Sequence, residues 1–159
     1  MIGIARAAAE AGLPVTISFT TETDGRLPDG TSLAAAGDAV DAATGGSPMY
    51  YGINCAHPVH FATALPGGAT GARIRSVRAN ASRKSHTELD ESPDLDTGDP
   101  VQLARDYLGL RAQHPQITIV GGRAVPYCYP VAARPGYGVA SFAGWPARTG
   151  AVPRQPSRP

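Results

Sequence analysis

Residues 50–61, YYGINCAHPVHF, contain the junction from which a fold can be inferred. The first half is an apolar, β-branched run typical of a buried strand, and it ends at Asn54-Cys55. Pro58 follows closely, and proline is favoured in the first turn of a helix. A cysteine where a strand passes into a helix is placed as α/β enzymes place a ligand or nucleophile. We therefore expect an α/β fold with Cys55 at the carboxyl end of a strand.

The same alternation recurs along the chain. Besides residues 49–55, three short apolar stretches are predicted strands: PVTISFT (14–20), ARIRSVRA (72–79) and ITIVGG (117–122). Helices are predicted over residues 2–11, 33–44, 58–65 and 100–112. Polar loops are predicted at residues 21–32 and 80–99. Strands that alternate with helices indicate a parallel sheet, so the fold is either part of a β/α barrel or an open doubly wound sheet.

Two of the predicted helices carry further detail. Thr31 or Ser32 is the expected N-cap of the helix that begins at residue 33. The apolar face of the last helix is predicted to consist of Val101, Leu103, Ala104, Leu108 and Leu110.

Composition limits the classes of partner and compartment. The formal net charge is +1, so no polyanion or acidic membrane surface is implied, and no apolar run approaches the roughly 18 residues of a membrane span. Two cysteines make no disulfide framework, which favours a cytoplasmic protein with reduced thiols. Residues 123–159 differ from the rest, with five Arg, seven Pro and no acidic residue, and are predicted to be an irregular or disordered tail.

Four stretches in consecutive order carry a family resemblance: PVTISFTTETDGRLPDGTSL (14–33), YYGINCAHP (50–58), RANAS (78–82) and ITIVGG (117–122). Together they resemble the homocysteine S-methyltransferase family, over residues 1 to about 122. The resemblance implies a partial (β/α)8 TIM barrel, roughly its last four strands. It also implies zinc-dependent methyl transfer from a sulfonium donor, S-methylmethionine or S-adenosylmethionine, to homocysteine, giving methionine.

The resemblance also assigns a metal ligand. One of the family's three zinc-binding cysteines matches Cys55, and the other two form an adjacent pair after a Gly-Gly. Here Gly121-Gly122 is followed by Arg123-Ala124-Val125, and the next cysteine, Cys128, is a further candidate ligand. We therefore expect that Zn²⁺ is not retained and that this chain alone is inactive. A reading-frame shift near residue 122 of a truncated copy is the expected cause of both the missing pair and the unusual tail.

Four residues are candidate substrate contacts: Thr20, Glu22, Asn54 and Asn80. Asn54 is expected either to fix the loop after its strand or to bond substrate, and an ordinary turn role stays open. Glu22, with Asp24 near it, could bond the ammonium group of the substrate or be a solvated loop acid. For Cys55 itself, a buried and inert thiol is the alternative to a ligand.

Other polar residues near the junction are expected to be structural or solvated. His57 and His60 form a C-x-H-x-x-H pattern with the cysteine, but a surface or helix-capping role is expected for both. His86, His114 and the loop cations Arg83 and Lys84 are predicted to be solvated.

Two other functions compete with the enzyme. The chain could be a non-catalytic fragment that associates with a complementary half-barrel through open sheet edges, or an unrelated α/β binding domain. The arginines and aromatic side chains of the tail are also typical of a base-stacking segment. Because a frame shift explains the same composition, no nucleic-acid partner is expected.

Overall fold

The computed structural model describes residues 1–94 and 96–123 of the chain. The predicted tail, apart from Arg123, and Cys128 lie outside these residues. Within them there are four strands, β1 (Ile17–Thr20), β2 (Tyr51–Asn54), β3 (Ile74–Asn80) and β4 (Ile119–Arg123). They form one sheet in the order β1-β2-β3-β4, and every neighbouring pair is parallel. The predicted α/β class with a parallel sheet is confirmed.

Six α-helices accompany the strands in this part of the chain, and the first of them precedes β1. They are α1 (Ile2–Glu10), α2 (Leu33–Thr44), α3 (Pro58–Phe61), α4 (Gly68–Arg73), α5 (His86–Asp90) and α6 (Pro100–Gln113), and a 3₁₀ turn, Ala62–Ala64, follows α3. None of these helices combines the length and the apolar character that crossing a bilayer requires.

The ends of the long helices follow from local chemistry. The Ser32 hydroxyl accepts a hydrogen bond from the backbone N–H of Ala35 at 3.2 Å, which confirms the predicted N-cap of α2. The helix ends at Gly45, whose φ of 62° is in the left-handed region that glycine tolerates. Helix α6 begins with Pro100 after Asp99, whose carboxylate accepts from two free N–H groups of the first turn.

Two helices were missed by the sequence prediction. Helix α4 reads GATGAR, which has no apolar period to reveal it. Helix α5 lies inside the stretch 80–99 that was predicted to be a loop, so that prediction is wrong over His86–Asp90. Its signal was present, because Ser85 and Glu88 form a capping box with both hydrogen bonds made.

The predicted apolar face of α6 is only partly correct. Leu110 is buried and Leu103 packs against the core, but Val101 and Leu108 are 50% and 52% exposed. The prediction was wrong for these two residues because an apolar residue on a short amphipathic helix is not obliged to face the core.

One face of the sheet, here called the core face, forms the hydrophobic interior together with the helices. Its strand residues are buried and belong to one cluster with helix residues such as Leu33, Val40 and Leu110: Ile17, Phe19, Tyr51, Ile53, Ile74, Val77 and Ala79. The rings of Phe19 and Tyr51 lie 5.2 Å apart, centroid to centroid. Burial of this face supplies the main driving force for folding.

The other face, here called the open face, carries small and polar residues because strand side chains alternate. A register shift between Ile74 and Ser76 interrupts the alternation in β3, so Ile74 and Val77 both lie on the core face. It consists of Ser18, Thr20, Gly52, Asn54, Ser76, Arg78 and Asn80. Ser18 pairs in register with Gly52, and Gly52 pairs with Ser76. Ser18 and Arg78 are exposed, and Ile119, which pairs with Ser76, is 44% exposed. The sheet is therefore amphipathic.

Arg73 ties this sheet to the helices beside it. Its guanidinium forms an ion pair with Asp41 of α2, donates to the Pro48 carbonyl oxygen and lies 4.9 Å from the centre of the Tyr51 ring. The Tyr51 hydroxyl donates to the Asp41 carboxylate. Burial and the Asp41 carboxylate raise the pKa of Tyr51 well above its usual range. This group of contacts fixes the start of β2, which ends at the candidate site.

Candidate functional site

The carboxyl ends of the first three strands bring the candidate residues together. Thr20, Asn54 and Arg78 are register partners across β1, β2 and β3. Asn80 is the last residue of β3, and Glu22 lies two residues beyond β1. Because parallel strands end at one edge, side chains that are far apart in the sequence meet here.

Asn54 links the two neighbouring strand ends. Its amide nitrogen lies 3.2 Å from Thr20 Oγ1 and 3.1 Å from Cys55 Sγ, so it donates to both side chains. Asn54 is the last residue of β2 rather than a turn residue. Its amide therefore fixes the junction after the strand, one of the two roles expected from the sequence.

Cys55 has an unusual backbone. Its φ is 60°, and among the described residues it is the one position other than glycine with a positive φ. This conformation costs an L-residue on the order of 1–3 kcal/mol, and such strain clusters at functional sites. Hydrogen bonds offset the cost, because the Cys55 N–H donates to the Arg78 carbonyl oxygen at 3.1 Å.

The carbonyl oxygen of Cys55 accepts two further hydrogen bonds. The Asn80 amide nitrogen donates to it at 3.0 Å, and His86 Nε2 donates to it at 2.7 Å. Asn80 also donates its backbone N–H to the Ala56 carbonyl oxygen at 3.1 Å. The strained residue is thus held from β3 and from α5, while its side chain is half-buried.

His86 was expected to be solvated, and that prediction was wrong. The side chain is 32% exposed, and Nδ1 forms an ion pair with Glu22 Oε1 at 3.2 Å. Both ring nitrogens face acceptors, a carboxylate and a carbonyl, an arrangement that favours a proton on each nitrogen. Burial acts to lower the pKa of His86, but the Cys55 carbonyl and the Glu22 carboxylate outweigh it and the pKa is raised.

His57 occupies the first position outside α3. Its ring is buried, and Nδ1 accepts a hydrogen bond from the Val59 N–H at 3.3 Å, which confirms a helix-capping role and excludes a surface one. Nε2 therefore carries the proton, and it faces Asp106 Oδ2 at 3.6 Å. Burial lowers the pKa of His57, although the Asp106 carboxylate acts in the opposite direction.

The remaining polar residues are held by local contacts or exposed. His60 Nε2 contacts the backbone oxygen of Arg83 at 2.9 Å. The Arg83 guanidinium is 56% exposed and lies 3.3 Å from Asp106. Lys84 is exposed, as predicted.

A small cleft lies among these residues. It has a volume of about 10 Å³ and is lined by Thr21, Glu22, Thr23, Cys55, His60, Lys84, Ser85 and His86. A volume of that size admits about one water molecule.

The described residues do not fit a zinc ion. A catalytic zinc site needs three protein ligands and one open position. Within residues 1–94 and 96–123, no three His, Cys, Asp or Glu side chains are placed to hold a metal. The ring nitrogens of His57 and His60 contact backbone groups, and Cys128 lies outside the described part.

The family model described as homocysteine S-methyltransferase matches residues 2–123. The chain belongs to the homocysteine S-methyltransferase family. The resemblance read from the strand-end motifs is thereby confirmed, over nearly the same residues. Searches of curated proteins and of solved structures returned no match.

Proposed function

We propose that this member of the homocysteine S-methyltransferase family binds homocysteine over the carboxyl ends of β1, β2 and β3. The observation that carries the proposal is the Asn54-Cys55 junction, held in a strained conformation inside the region that matches the family. Glu22 is the proposed partner of the substrate ammonium group. Thr20, Asn54 and Asn80 line the place where the rest of the amino acid lies.

The proposed reaction class is methyl transfer from a sulfonium donor, S-methylmethionine or S-adenosylmethionine. The homocysteine thiolate attacks the methyl carbon in line, the bond from that carbon to the sulfonium sulfur breaks, and the leaving sulfur keeps the electron pair as a neutral thioether. A free thiol has a pKa of about 8.5, so it is mostly protonated at neutral pH. The contribution of the protein to such a step is to align the two sulfur atoms.

We propose further that this chain does not complete the reaction by itself. By the family resemblance three cysteines hold the metal, and Cys55 is the one cysteine within the matched residues 2–123. Arg123-Ala124-Val125 stand where the adjacent pair is expected, and a reading-frame shift is our proposed explanation. We also propose Cys55 as the surviving ligand position of the family's metal site.

Binding and turnover are tested separately with the full chain. Calorimetric titration should show that homocysteine binds and that homoserine, which lacks the sulfur, binds more weakly. Glu22→Gln should weaken homocysteine about tenfold or more, the usual worth of a charge-assisted hydrogen bond. His114→Ala, at the far end of α6, is the matched control and should leave affinity unchanged.

Turnover is then measured as methionine formed from homocysteine with each sulfonium donor, together with the zinc content per chain. The proposal predicts no methionine above the protein-free rate and no bound zinc. Methionine formation with about one zinc per chain would overturn the claim of inactivity. Failure of homocysteine to bind would overturn the proposed function.

A second candidate function is association through the sheet. Among the described residues, β1 and β4 each have one strand neighbour, and the open face is polar. Unpaired strand edges favour pairing with another chain, and four parallel strands in consecutive order are half the number that closes a β/α barrel. We propose a complementary half-barrel as the partner. Without that partner the open edges favour self-association, so light scattering of the chain alone should give a mass above that of the 16.4 kDa monomer, and a monomer at all concentrations would contradict association through the sheet edges.

A further inference from the structure

We propose that His86 is a positioning residue for the candidate site. Its two ring nitrogens hold the Cys55 carbonyl oxygen and the Glu22 carboxylate in a fixed relation to each other. His86 lies 31 residues from the cysteine and 64 from the glutamate. No spacing in the sequence connects these three residues.

The first argument is that the His86 ring bridges two strand ends. Nε2 lies 2.7 Å from the Cys55 carbonyl oxygen at the end of β2. Nδ1 lies 3.2 Å and 3.3 Å from the two carboxylate oxygens of Glu22, beyond β1. Because the imidazole ring is rigid and planar, one side chain sets the distance between the carbonyl oxygen and the carboxylate.

The second argument is that His86 is itself held in place. The Ser85 hydroxyl accepts from the Glu88 N–H at 3.2 Å, and Glu88 Oε2 accepts from the Ser85 N–H at 2.7 Å. Because this reciprocal pair closes the first turn of α5, the backbone of His86 starts from a defined position. A solvated loop histidine would have no such support.

The third argument is that Cys55 needs this support. Its positive φ is unfavourable for a residue with a Cβ. Two donors, Asn80 Nδ2 and His86 Nε2, satisfy its carbonyl oxygen in that conformation. Loss of the histidine removes the shorter of the two contacts that hold the Cys55 carbonyl group, so the residue is expected to relax from its strained conformation to a negative φ.

Loss of His86 would affect both Cys55 and Glu22. Rotation at Cys55 would carry Sγ away from the Asn54 amide, which lies 3.1 Å from it. The Glu22 carboxylate would lose its ion-pair partner and adopt several rotamers. The effect on homocysteine affinity rests on the proposed function, whereas the effect on the conformation of Cys55 does not.

The experiment uses the full chain and compares His86→Ala and His86→Gln with the control His114→Ala. Backbone NMR shifts report the sign of φ at Cys55, calorimetry reports homocysteine affinity, and thermal unfolding reports stability. In His86→Ala, Cys55 should leave the positive-φ region and affinity should fall about tenfold, while the control leaves both unchanged. His86→Gln keeps one donor, so it should lie between the wild-type protein and His86→Ala in both readouts.

The outcomes separate the two proposals. If His86→Ala lowers the unfolding temperature but leaves Cys55 at positive φ with unchanged affinity, His86 is merely structural and the positioning role is overturned. If the alanine variant does not fold, the glutamine variant decides by the same two readouts. If the wild-type protein does not bind homocysteine, the proposed function fails, and the NMR readout still decides the role of His86.

Discussion

The two faces of the parallel sheet use neighbouring residues for different purposes. Phe19 is completely buried against Tyr51, whereas Ser18, one residue earlier, is exposed on the open face. The core face holds the fold together through apolar burial, and the open face leads to the edge where Thr20, Asn54 and Cys55 meet. One short strand can therefore contribute both to folding stability and to the candidate site, because its side chains point alternately to the two faces.

The largest effect is expected from truncation on the core face. Phe19→Ala removes a fully buried ring and should destabilise the protein by about 3–5 kcal/mol, measured by denaturant unfolding. Ser18→Ala is the matched variant on the opposite face and should stay within about 0.5 kcal/mol. Equal losses for the two variants would show that the open face is packed as tightly as the core face.

A smaller effect is expected from adding a methyl group to the open face. A Cβ at Gly52 would press against the hydroxyl groups of Ser76 and Ser18 on both neighbouring strands. Gly52→Ala should therefore cost about 1–3 kcal/mol. At Gly121 a Cβ would meet the Arg78 side chain at 3.5 Å, an ordinary contact, so Gly121→Ala is the control.

The same pair of variants also tests the description of the open face. If Gly52→Ala is as stable as the control, the two serine hydroxyls move aside freely, and the centre of this face is looser than its geometry indicates. Unfolding in urea separates the two results, provided that the unfolding free energy depends on urea concentration with the same slope in both variants.

The smallest effect concerns pH, and the two site histidines act in opposite directions. Desolvation lowers the pKa of buried His57. Its contribution to folding stability is therefore present at neutral pH and is lost as pH falls below about 6.5, the pKa of histidine in the unfolded chain. The pKa of His86 is raised, so its contribution is complete below about 6.5 and is lost as pH rises through the folded pKa. Together they predict a stability maximum near pH 6.5.

Single variants separate the two contributions. His57→Gln should flatten the acid side of the stability profile, and His86→Gln should flatten the alkaline side, each by at most about 1.4 kcal/mol per pH unit. A profile that changes on the same side in both variants would contradict the opposite pKa directions.

Much of the sheet could be predicted from the sequence, and the reasons are physical. The runs around Ile17, Ile53 and Val77 are short, apolar and bounded by turn residues, so their strands were found to within three residues at each end. Helix α4 was missed because GATGAR has no apolar period. The ends of strands are set by pairing with neighbours, which a single sequence does not display.

The sequence predicted those residues of the candidate site that belong to the strand-end motifs or follow them closely. Asn54 and Cys55 stand at the strand end, as the sequence indicated, and Thr20, Glu22 and Asn80 lie around them. His86 was missed because its two partners come from other strand ends, and such contacts exist only after the chain has folded. The Ser85-x-x-Glu88 capping box was the one local signal that could have placed it on a helix.

The central claim is that homocysteine binds over the carboxyl ends of β1, β2 and β3. The most direct measurement is a titration of the ¹⁵N-labelled chain with homocysteine, followed by amide shifts, with homoserine as the reference ligand. The account predicts shifts that cluster at residues 20–22, 54–57 and 80–86 and are larger for homocysteine. Shifts confined to α1 and α2, or none at millimolar homocysteine, would contradict it.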